Sequence, residues 1–151
     1  MDVLTGQHLL KKDGDIVVAD EALSDKSLIC FFFGAHWCPP CRNFASILDD
    51  FYAQVRPKYP TIEVIFVSFD KTFEQMMAFM NESHGDWLAV QHGSKLEKYL
   101  KKRFYVTSIP TLMVVARDGT VIAHNGRNEI SERGPNVVET WLNELKYENH
   151  F

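Results

Sequence analysis

The most constraining feature of the chain is a pair of cysteines two residues apart, Cys38-Pro39-Pro40-Cys41, set between two unlike segments. Before it runs Leu28 to Gly34 (Leu-Ile-Cys-Phe-Phe-Phe-Gly), continuously apolar as a strand buried on both faces requires. After it, Phe44, Ile47, Leu48, Phe51, Tyr52 and Val55 recur at helical spacing, with Arg42, Asp49, Asp50 and Gln54 on the opposite face and Pro57 and Pro60 beyond the end. A strand running into CxxC at a helix start places the first cysteine where unpaired N–H groups and the helix dipole favour thiolate over thiol. Pro39 and Pro40 fit there, because first-turn N–H groups have no acceptor within the helix. Cys38 is expected at an exposed tip as the attacking thiol. Cys41, one turn deeper, is placed to resolve a mixed disulfide.

Composition bounds what else the chain can be. At 151 residues it suits a single domain over 1–151, and 46% hydrophobic with 24% charged residues is an ordinary globular balance. A net charge of −4 argues against nucleic acid as a partner. No run approaches the about 18 apolar residues of a membrane span. Residues 1–12 carry no signal-peptide pattern, and the ending Glu148-Asn149-His150-Phe151 matches no retention tag. The expected compartment is the cytosol, with the nucleus second. The basic group Lys95, Lys98, Lys101, Lys102 and Arg103 reads as a solvated helix face.

The rest of the chain reads as further strands over 15–19 and 62–69, and a helix capped by Thr72 that carries Phe73 and a methionine stripe, Met76, Met77 and Met80, read as core. A break follows at Gly85-Asp86, then Trp87 to Val90, a helix over 94–104, and a hairpin of 111–116 and 120–124. A last helix is opened by Gly134-Pro135. This is an α/β plan, a mixed sheet covered by helices on both faces. Ser108-Ile109-Pro110-Thr111 opens the hairpin strand. A cis Pro110 beside the CxxC would free the backbone of Ile109 to pair with an extended substrate segment.

Together these residues resemble the thioredoxin fold. Phe32 to Arg42, Val64 to Asp70, Trp87-Leu88-Ala89-Val90 and a helical insertion before the Pro110 strand resemble the tryparedoxin and nucleoredoxin family. His84 to Ala89, Gly126-Arg127 and Ser131 to Gly134 are similar to its small single-domain nucleoredoxin-like members. The resemblance implies Cys38 as attacking thiol, Cys41 as resolving thiol, Trp37 as a flat platform beside the sulfur, Pro110 as the cis proline, Ile109 on the substrate path, and Arg127 near the active site. It implies a protein-disulfide reductase with no bound cofactor, re-reduced by an NADPH-linked reductase or a small thiol. It also implies an alternative, a redox-sensitive binding protein acting on signalling or transcription-factor partners. Two departures stand out. Phe32 occupies the position of the buried acid of ordinary thioredoxins, and Phe69-Asp70-Lys71 stands where tryparedoxins read Trp-Asp-Glu. Asp70 is then the nearest acid.

Blander readings stand beside these. A zinc site needs four ligands, whereas Cys30 reads as core and the histidines show no ligand spacing, so no metal is expected. His36 is either a cation or proton shuttle near Cys38 or a solvated loop histidine. Trp87 is a groove or core aromatic, and Asn81-Glu82-Ser83 a chance glycosylation pattern.

Overall fold

The computed structural model describes residues 3–148, so the chain-end residues 149–151 read above lie outside the described residues. Two strands form its centre. β3 (Leu28–Gly34) and β4 (Ile62–Ser68) are buried at every position and pair in parallel from Leu28↔Ile62 to Gly34↔Ser68. β3 is apolar throughout and β4 nearly so, as strands flanked on both edges and covered on both faces demand, and the one charge in β4, Glu63, is taken up by Tyr52 and Arg56. β6 (Thr111–Ala116) lies antiparallel on the other side of β3 and is followed by β7 (Val121–Ala123).

On the β4 side come β5 (Leu88–Val90), then a hairpin of β1 (His8–Leu10) and β2 (Ile16–Val18). Among the described residues the sheet order is β2-β1-β5-β4-β3-β6-β7. The expected strand at 15–19 is β2, cut short because Ala19 already begins the single-turn helix α1 (Ala19–Ala22).

Alternate positions along the strands face two cores. Cys30, Phe32, Val64, Phe66, Leu112 and Val114 pack under α2 (Pro39–Val55), α3 (Phe73–Glu82) and α6 (Val137–Glu148). Ile29, Phe31, Phe33, Ile65, Val67 and Val115 pack under α1 and α4 (Lys95–Arg103). Helices therefore cover both faces, as the sequence pattern implies. Met76, Met80 and Trp87 are core side chains. The insertion before the Pro110 strand is not purely helical: α3 leads into β5, which enters the sheet beside β4. The last helix also differs from expectation. Gly134-Pro135 forms a separate 3-10 turn, and a further helix, α5 (Gly126–Arg133), precedes it. No helix among the described residues is long and apolar enough to cross a membrane.

Candidate active site

The site stands at the C-terminal end of β3. Gly34 is the last residue of the strand, and the space a side chain would take there is already filled. A Cβ added there would lie 3.1 Å from the Phe32 ring and 3.5 Å from Cys41 Cβ. Ala35 to Trp37 make the turn, and Cys38 N–H donates back to the Ala35 carbonyl at 3.3 Å. Cys38 is the N-cap of α2, with extended backbone and Pro39 and Pro40 in the first turn. Its Sγ accepts the Cys41 N–H at 3.3 Å, the bond expected of a sulfur at a helix start. Cys38 and Cys41 form a disulfide, with their Cα atoms 5.2 Å apart.

Burial is asymmetric but tighter than the sequence suggests. Cys41 is fully buried and Cys38 is only 6% exposed, so Cys38 is not the exposed tip expected. The turn closed onto Ala35 folds it back against the core. The exposed tip is instead Trp37 (53%), together with Pro39 and Pro40. The indole stands open to solvent next to the sulfur-bearing residue.

The distant half of the site arrives through the sheet. Phe33 pairs with Thr111, which sets Pro110 level with the end of β3 beside the CxxC turn. The Ile109–Pro110 bond is cis, Pro110 is buried and Ile109 half-buried. Arg127 is exposed in the first turn of α5. Its neighbour Gly126 packs on the Leu112 carbonyl, two residues beyond Pro110. Among the described residues the Arg127 side chain makes no hydrogen bond or ion pair to the cysteine loop.

His36 is held at three points. Its N–H donates to Asp70 Oδ1 at 2.8 Å, its carbonyl accepts from Arg42, and its Nε2 donates to Glu82 Oε2 at 2.9 Å. It is therefore not a freely solvated histidine, and its ring is engaged by α3. Asp70 is 5% exposed and also accepts from the Ser68 hydroxyl at 2.7 Å, while His92 Nε2 donates to the Asp70 carbonyl at 3.0 Å. The acid nearest the loop thus braces its backbone.

Beneath Cys41, the position of the missing acid is filled by Phe32, packed against Phe44, Phe66 and Phe79 at ring distances of 5.5–6.0 Å. Sequence reasoning missed Glu82 and Arg42 as supports of His36. Glu82 lies 46 residues away and showed only as the middle of a glycosylation pattern.

Cys30 lies apart, fully buried in β3. Burial, with the nearby Glu63 charge adding, pushes its thiol pKa far up, so it stays protonated. Among the described residues no cluster of His, Cys, Asp or Glu is arranged to hold a metal ion. What the geometry can carry is thiol–disulfide exchange: a dithiol at a helix N-terminus, an open aromatic beside it and a half-buried strand edge across from it.

Known proteins fit this geometry. Residues 26–121 match the family described as Thioredoxin-like. The chain is 36% identical over 129 residues to the probable nucleoredoxin 3 of Oryza sativa, covering 85% of this chain and 26% of that protein. It thus spans about a quarter of the length of that relative. Thioredoxin related protein 16 of Carcinoscorpius rotundicauda is 43% identical, with a TM-score of 0.79 over 93% of this chain and 99% of that one. Native tryparedoxin I of Crithidia fasciculata is 33% identical, with a TM-score of 0.75 over 85% and 86%. With strand, CxxC helix and Ile109–Pro110 strand in the family's arrangement, the chain belongs to the thioredoxin-like family, among nucleoredoxin and tryparedoxin relatives.

Proposed function

We propose that the protein reduces disulfides of other proteins through the Cys38/Cys41 dithiol. The observation that carries this reading is the N-cap placement of Cys38, with its sulfur on the Cys41 N–H. In the reduced protein the same N–H and the end of the helix dipole stabilise a Cys38 thiolate. That thiolate attacks one sulfur of a target disulfide. A mixed disulfide forms and the target's other sulfur leaves as thiolate. Cys41 then loses its proton and attacks Cys38 Sγ, which re-forms the Cys38–Cys41 bond and releases the second target thiolate. Two electrons pass to the target. An external donor, an NADPH-linked reductase or a small thiol, returns the pair to the dithiol, and no bound cofactor enters the cycle.

Trp37 covers one side of the reacting sulfur, Ile109 offers backbone to an extended substrate, and Pro110 shapes that edge. His36 positions the loop, and Arg127 lies on the neighbouring helix. A reductive role suits the cytosol, with the nucleus as a second compartment.

A second reading is a redox-sensitive binding protein acting on signalling or transcription-factor proteins. It draws on the Carcinoscorpius relative, described as regulating the activity of the transcription factor NF-kB.

Capture with Cys41→Ser separates the two. Reduction of targets predicts a trapped mixed disulfide through Cys38 that dissolves in dithiothreitol. Partner binding that survives Cys38→Ser, with no trapped disulfide, supports the second reading instead.

A further inference from the structure

The outer face of α4 carries Lys95, Lys98, Tyr99, Lys102 and Arg103, spaced as one helical stripe and all exposed. Among the described residues Lys95, Lys98 and Lys102 make no ion pair. The helix's one carboxylate, Glu97, is buried and spent inward, accepting from Lys101 Nζ at 2.8 Å and from the Gly93 N–H. A chain of net charge −4 therefore concentrates unneutralised positive charge on one face.

Helix stability does not account for it. Cations in the last turn complement the dipole, but Lys95 and Lys98 sit at the N-terminal end, where a positive charge is unfavourable.

The stripe is tied to the active site. Just before α4, His92 Nε2 donates to the Asp70 carbonyl at 3.0 Å, and the Asp70 carboxylate takes the His36 N–H, two residues from Cys38. Lys101 Nζ lies 4.1 Å over the ring of Phe69, Asp70's neighbour. Beyond the helix, Tyr105 stands 86% exposed with a φ of 56°, and the chain then leads to Ile109 and Pro110. The left-handed backbone of Tyr105 closes α4, with the Tyr105 N–H donating to the Lys102 carbonyl at 3.2 Å and the Val106 N–H to the Lys101 carbonyl at 3.0 Å, and this ending leaves the ring in solvent.

We infer that the α4 face, Lys95, Lys98, Tyr99 and Lys102 with Tyr105 at its end, is a docking surface for acidic protein segments that flank the disulfide to be reduced. The inference rests on the reductase reading and names its substrate class. The cations draw in the acidic partner and orient it, and the tyrosines supply apolar contact of low entropy cost.

The test compares two peptides with the same disulfide loop, one with glutamate flanks and one with lysine flanks. 2-Hydroxyethyl disulfide serves as an uncharged control. The acidic peptide is expected to show a kcat/KM about 10-fold higher at low ionic strength, a gap that closes near about 0.5 M salt. Lys95→Glu/Lys98→Glu/Lys102→Glu should reverse the preference while still turning over the uncharged disulfide, and Lys98→Glu alone should narrow it. Equal rates for the two peptides at low salt, with the control reduced, overturn the docking surface and leave the reductase reading standing. Failure to reduce any of the three disulfides overturns the reductase reading, and the docking inference with it. Retention on phosphatidylserine vesicles without peptide preference assigns the stripe to a lipid surface and also overturns it.

Discussion

Asp70 Oδ1 accepts the backbone N–H of His36 at 2.8 Å, which ties the end of β4 to the turn that delivers Cys38. The bond crosses between the two central strands at the point where their parallel pairing ends at Gly34↔Ser68. The sheet thereby adds an anchor to the cysteine turn beyond the turn's own bond from the Cys38 N–H to the Ala35 carbonyl.

Removing that acceptor tests the brace. Asp70→Ala leaves the His36 N–H and the Ser68 hydroxyl without their partner in a buried place, which costs about 1–3 kcal/mol. Asp70→Asn keeps an acceptor oxygen and should lose less. Urea denaturation of the two variants against the parent reads the difference. Equal stability of all three contradicts the bracing role.

His84 gives the fold an acid-sensitive point. Its Nδ1 donates to the Gly85 carbonyl at 2.8 Å, its Nε2 is buried and has no hydrogen-bond partner among the described residues, and burial pushes its pKa down to about 3. The unfolded chain protonates this imidazole near the ordinary pKa of about 6.5, whereas the native state does not. Below that pH the unfolded state holds the extra proton, so stability falls as pH drops from about 6.5 toward 3. Between about pH 6.5 and 5 the loss is up to about 2 kcal/mol. His84→Gln should flatten the Tm profile over that interval. An unchanged slope means His84 is not the source.

Cys30 should be chemically silent. Its thiol is fully buried and its ionisation disfavoured. After reduction, native protein should take up one iodoacetamide label, at Cys38, with the fully buried Cys41 and Cys30 labelled only in denaturant. Native labelling of Cys30 would show that β3 opens.

Trp37 should report on the site by fluorescence. It is exposed, whereas Trp87 and Trp141 are buried. Trp37→Phe should abolish most acrylamide quenching in the native protein with little change in stability, within about 0.5 kcal/mol. Strong residual quenching would mean that a buried indole is reached.

Long, uniform stretches were readable from sequence because their pattern repeats within one element. The seven buried residues of β3, the stripe of α2 and the Ile109-Pro110 pair placed the site in outline. What was not readable depends on contacts between distant residues or on elements too short to show a period. β1 has three residues and α1 one turn, so neither completes a pattern. In α5 the run Gly-Arg-Asn-Glu-Ile-Ser-Glu-Arg offers a single large apolar side chain, Ile130, and its helix is held by packing of Gly126 and Ile130. The engagement of His36 by Glu82, like the burial of Cys38, is set by how the loop folds onto α3 and Ala35.

The central claim is that Cys38 and Cys41 work as a dithiol on protein disulfides. Reduction of insulin with limiting dithiothreitol, comparing the parent with Cys38→Ser, tests it most directly. Fast precipitation of the insulin B chain with the parent alone is the predicted result. Equal rates for parent and Cys38→Ser, both at the level of dithiothreitol by itself, would contradict it.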